Sequence, residues 1–130
     1  MESEIWASFQ ASRGANATLF LGVIISLWVA ARFSSVMVEK EAPVIGRVLC
    51  TIFGLSVFLI NFTMMTNIMN QWTAHANALA GLGDAVSPIA AGFIAEYGGE
   101  MATMPHPVML ALLVSSLLIT VLPLWMQPNK

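Results

Sequence analysis

The sequence predicts an all-α integral membrane protein with about three transmembrane helices. Three observations predict it. Hydrophobic residues make up 58% of the 130 residues and charged residues only 9%, against about 25% charged in a soluble domain. The mean hydropathy is +0.79. Three stretches are long and apolar enough to cross a hydrocarbon core about 30 Å thick, which takes roughly 20 helical residues. So few charges cannot clothe a water-facing sphere of this size, and the remaining apolar surface needs lipid or a partner. The length suits one membrane domain, residues 1–130.

The elements follow in order. Ser3 can cap a helix whose Ile5, Trp6 and Phe9 share a face, and Gly14 can end it. This predicts a short interfacial helix over residues 3–13. The acidic start MESEIWASFQ lacks the basic opening of a cleavable signal peptide, so it is expected to be retained. The first span covers residues 15–38, with Arg32 near its far end, where a long side chain can reach the headgroups. The second covers residues 44–70. A connector over residues 71–106 is too long for a simple link between packed helices. Inside it, Asp84 or Ser87 can cap, Pro88 suits a first turn and Gly98-Gly99 can stop the chain. Ile89, Phe93 and Tyr97 recur at spacing four, so this segment reads as an interfacial or re-entrant helix. The third span covers residues 107–126. Pro107 opens it, Trp125 suits an interface, and Pro123 is expected to kink its last turn.

Charge placement gives the spans a direction. Arg32, Lys40 and Arg47 flank the first connector, and no Lys or Arg follows until Lys130. The second connector carries Asp84, Glu96 and Glu100 instead. The positive-inside rule then puts the first connector in the cytoplasm, the N-terminus outside and the C-terminus inside. The host membrane is expected to be a plasma or inner membrane. Arg13 alone opposes this orientation.

Several function classes are disfavoured. A net charge of −2 leaves no footprint for nucleic acid. The single cysteine, Cys50, allows no intramolecular disulfide. There is no phosphate loop, HExxH, cysteine pair or GxSxG. No span carries a carboxylate at mid-depth, which argues against a proton-driven transporter.

Three patterns remain. Small residues recur at spacing four: Thr18, Gly22, Ser26, Ala30 and Ser34 in the first span, Gly46, Cys50 and Gly54 in the second, and Ala111 and Ser115 in the third. Small residues let helix backbones approach in lipid, so these stripes predict packing seams. A polar stripe at the far end of the second span holds Thr63, Thr66, Asn67, Asn70, Thr73 and Asn77, with Asn61 a turn deeper. Amides in lipid need partners. The leading expectation is that they bond to the connector helix or a neighbouring subunit; a hydrated cavity is the alternative. Lastly, Met101, Met104, His106 and Met109 fall within nine positions. Thioether and imidazole are ligands that suit Cu(I). Spaced methionines near a histidine resemble the Met-rich copper-binding segments of periplasmic proteins, which implies a copper site at those four residues. Methionine as ordinary apolar filler is the leading alternative. His75 and His106, expected near one membrane face, also allow axial ligation of a haem.

The function expected is that of a non-catalytic small subunit. It would pack against and stabilise a larger multi-subunit membrane complex, with lipid bound around it and no cofactor. The alternatives are a metal- or cofactor-handling membrane protein, or a channel or carrier built from copies of itself.

Overall fold

The computed structural model describes residues 1–126. Its elements are α1 (Glu2–Glu39), α2 (Val44–Ala80), a 3₁₀ turn (Gly83–Ala85), α3 (Pro88–Tyr97) and α4 (Pro107–Trp125). The described residues contain no strand. Three helices, α1, α2 and α4, are long and apolar enough to cross a membrane.

Two boundaries differ from expectation. No short helix stops at Gly14; α1 runs unbroken from Glu2 to Glu39, and Ser3 is not its cap. A glycine in mid-helix costs only about 1 kcal/mol. Phe9 and Asn16, both buried on either side of Gly14, supply packing that outweighs it. Likewise α2 does not end near Asn70 but at Ala80. Its extra turns are held by side chains from elsewhere in the chain.

The α1–α2 turn is a Schellman-type cap. The Ala42 amide donates to Met37 O, the Glu41 amide donates to Val38 O, and Glu41 takes φ 49°. That left-handed position usually belongs to glycine. Arg47 then donates to the Ala42 carbonyl at 3.1 Å.

The core is a thin three-helix seam. On α1 the buried residues Phe9, Asn16, Val23 and Ala30 recur every seven positions, with Ser34 following. A seven-residue period keeps one stripe facing a partner along a gently supercoiled helix. α2 offers Cys50, Gly54, Asn61 and Met65, and α4 offers Leu113, Thr120 and Leu124. Polar groups in the seam are satisfied. Asn61 donates to Ser26 Oγ at 2.9 Å, Ser34 donates to the Thr120 carbonyl, and Trp125 donates to Thr51 Oγ1 at 2.9 Å.

α4 has 19 residues, about 28 Å of helix, or one hydrocarbon thickness. α1 and α2 are about twice that length. The parts carrying Ser8 and Asn16 on α1, and Gln71 and His75 on α2, run on past the start of α4 as a helical hairpin. Asn16 donates to Gln71 Oε1 at 2.8 Å there.

Candidate functional site

α3 packs against this projecting hairpin through aromatic rings. Phe9 lies edge-on to Trp72 and Phe93, with ring centroids 5.0 and 5.1 Å apart. Trp6 meets Phe93 at 5.2 Å, and Trp72 meets Tyr97 at 4.9 Å. Such pairs each contribute about 0.5–1.5 kcal/mol beyond area burial. The sequence placed Trp6 with Phe9, and Phe93 with Tyr97, on separate helix faces. Trp72 joins the two sets.

Polar contacts hold the same unit. Ser87 caps α3 by accepting from the Ala90 amide at 3.2 Å. Its own amide and hydroxyl donate to the Glu2 carboxylate at 2.9 and 2.6 Å. Trp6 Nε1 donates to that carboxylate at 3.1 Å. The Ser87 hydroxyl, the Ser87 amide and the Trp6 indole together hold the Glu2 carboxyl below the usual carboxylate range. Two α2 amides then clamp the chain after α3. Asn77 exchanges two hydrogen bonds with the Gly99 backbone, both 2.9 Å. Asn70 does the same with Ala102, at 3.0 and 2.7 Å. Gly99 has φ +120°, and a Cβ at Gly98 would meet Ile94 O at 2.6 Å, so both glycines are required where the chain turns under these clamps.

Beneath the clamped connector lies a cavity of about 560 Å³. Met65, Met69 and Met109 line its apolar part. Met65 is buried and joins the apolar cluster of Val23 and Leu113. Trp72, Tyr97, Glu96 and Glu100 line the part nearer the connector, with His106 beside them. His106 caps α4, its Nδ1 accepting from the Val108 amide at 3.3 Å.

The expected site residues separate by place. Of the four expected copper ligands, His106 and Met109 line this cavity. Met101 and Met104 are about half exposed and do not. Among the described residues no three His, Cys, Asp or Glu side chains are grouped to hold a metal. His75 lines a different, smaller cavity with Ser8 and Glu4. Its Nδ1 lies 2.6 Å from the Gln71 carbonyl. A carbonyl only accepts, so Nδ1 donates to it, and Nε2 lies 3.3 Å from the Ser8 hydroxyl. The two histidines therefore do not face one space. In the polar stripe, Asn70 and Asn77 clamp the connector, whereas Thr63 and Asn67 lie exposed on the opposite side. They line a shallow groove with Leu59 and Ile60, and their side chains make no hydrogen bond among the described residues. In the small-residue stripes, Ser26, Ala30, Cys50 and Gly54 lie in the seam. Gly46 packs on Met37 and Ala42, with a built Cβ 3.4 Å from each. Gly22 faces open space, and Ala111 and Ser115 are exposed.

Glu2 and Trp72 belong to none of the three patterns in the sequence. Trp72 continues the face of Met65 and Met69 at helical spacing, which is a readable signal. Glu2 gives none, because its partner lies 85 positions away.

Comparison with protein-family models, with curated proteins and with solved structures finds no match to this chain.

Proposed function

We propose that this protein is a non-catalytic small subunit that packs against and stabilises a larger membrane protein complex. One observation carries the reading. The span amide Asn61 already has an internal partner in Ser26, and Asn16 and Asn70 at the connector end are likewise bonded within the fold. Asn67 and Thr63 instead are exposed beside Leu59 and Ile60, on the open flank of α2. An unpartnered amide against lipid is unfavourable, and an interhelical bond in a membrane contributes about 0.6–2 kcal/mol. A neighbouring subunit with a polar group at that depth satisfies it. The thin fold agrees. Only 22%, 22% and 17% of the most apolar stretches of α1, α2 and α4 are buried internally, which leaves broad flanks for lipid and partners. The basic α1–α2 turn supports an orientation with that turn in the cytoplasm and the α3 unit outside a plasma or inner membrane; the C-terminal residues, expected inside, lie outside the described residues.

Native mass spectrometry after gentle solubilisation tests this. The expected result is a hetero-complex that loses this subunit when Asn67 is changed to Leu. A lone 14.0 kDa species, or one built only of multiples of that mass, overturns it.

A further inference from the structure

We infer that the 560 Å³ cavity between α2, the end of α3 and the start of α4 binds an amphiphile with a single ammonium head and a short apolar body. The inference is independent of the subunit role. Ligand pockets run from about 300 to 1,000 Å³ and are mostly apolar with a few placed polar groups. This cavity has that size and that lining. Its deep part offers Met65, Met69 and Met109, three flexible apolar side chains that adapt to a ligand body. Its connector side offers the Trp72 and Tyr97 rings together with the Glu96 and Glu100 carboxylates. Aromatic rings beside carboxylates are what an ammonium selects, since ring quadrupole and charge attract it together.

Charge decides the sign of the head group. No lysine or arginine occurs between Arg47 and Met126. His106 is the one basic side chain in the lining, against two carboxylates, so a sulfate or phosphate head is disfavoured and a cation is drawn in. The cavity sits where α4 begins, at the edge of the apolar slab. A head group there reaches water while the body stays among the methionines. The clamps from Asn70 and Asn77 fix the connector and hold the carboxylate side in place without touching the ligand. The volume favours an organic body over a bare ion. A soft metal on the same thioethers and His106 is the competing occupant.

The experiment uses the full chain in a neutral maltoside detergent. Hexyltrimethylammonium, hexanol and hexyl sulfate are titrated in parallel and followed by calorimetry and tryptophan fluorescence. The expected result is saturable binding of the ammonium, about fivefold or more tighter than hexanol, with no saturable binding of the sulfate. The double variant E96Q/E100Q, at two exposed positions, should bring ammonium and hexanol to equal affinity while circular dichroism and melting stay unchanged. Equal binding of cation and anion, or an unaltered preference in the double variant, overturns the inference. A parallel titration with Ag(I), a redox-inert stand-in for Cu(I), covers the competitor. Stoichiometric Ag(I) binding that Met69→Leu and His106→Ala abolish, without ammonium binding, assigns the cavity to a soft metal instead and also overturns it.

Discussion

Gly54 and Gly22 separate the two meanings that a small residue carries in a membrane helix. A Cβ built at Gly54 would lie 3.0 Å from Thr120 Cγ2, whereas one at Gly22 meets nothing within 4 Å. Gly54→Leu should therefore destabilise α2–α4 packing by roughly 1–3 kcal/mol. Gly22→Leu should be neutral or stabilising by up to about 1 kcal/mol, because the side chain meets no neighbour and replaces a poor helix former. Thermal unfolding in detergent checks both, and equal melting temperatures for the two variants would contradict the seam. Asn61 is the polar counterpart. Its bond to Ser26 crosses the seam at mid-span, so Asn61→Leu should weaken α1–α2 packing by about 0.6–2 kcal/mol. The sequence showed these residue types at the right spacing. It did not tell Gly54 from Gly22, because both sit in equally regular stripes and only the facing helix distinguishes them.

At the scale of elements, the α3 unit depends on contacts distant in sequence. Asn70 and Asn77 each satisfy both backbone groups of one connector residue. Replacing Asn70 with Ala should cost about 1–3 kcal/mol of local stability, because the part-buried Ala102 backbone groups lose their partners, whereas Asn77→Ala at the exposed Gly99 pair should cost about 0.5–1.5 kcal/mol. Hydrogen exchange at the Ala102 or Gly99 amide should rise accordingly, and unchanged protection would count against the clamp. Glu2 couples the same unit to pH. It lies far out on the projecting hairpin, beyond the level of α4. Its carboxyl is held below the ordinary value by Ser87 and Trp6. A carboxyl lowered on folding contributes stability that is complete above its ordinary value and is lost as pH falls through the lowered one. Protection of the Ser87 and Ala90 amides should therefore fall on acidification below the usual carboxylate range. Glu2→Gln should show weaker protection at neutral pH and little further change. A parental acid response in that variant would remove Glu2 from the account.

For the whole molecule, the difference in helix length defines the architecture. α4 matches one bilayer thickness, and α1 and α2 are about twice as long. The surplus forms a projecting helix pair on which α3 docks, and the cavity lies beside the start of α4. Placing the basic turn in the cytoplasm predicts the sidedness of labels. A cysteine at Ser3 should react with an impermeant thiol reagent added outside intact cells, and one at Lys40 should react only after permeabilisation. The parent's own Cys50 is buried and should stay silent in both. The reverse pattern would invert the molecule and place the α3 unit in the cytoplasm.

The three spans, the basic turn between the first two, and the Ser87–Pro88 start and Gly98 end of α3 were all legible in the sequence. Each follows from local rules: apolar length against bilayer thickness, charge near a turn, and backbone chemistry at helix ends. The helix breaks expected at Gly14 and near Asn70 were misplaced for the same reason. Local propensity at those positions is weak, and tertiary packing of Phe9, Asn16, Gln71 and His75 overrides it. The polar stripe was visible as a stripe. That Asn70 and Asn77 bond to the connector while Thr63 and Asn67 face outward was decided only by folding, because the connector covers only one end of the stripe. The all-α membrane fold was thus set by length and composition. Which small residues pack, which amides are occupied and where a cavity remains depended on how three helices of unequal length meet.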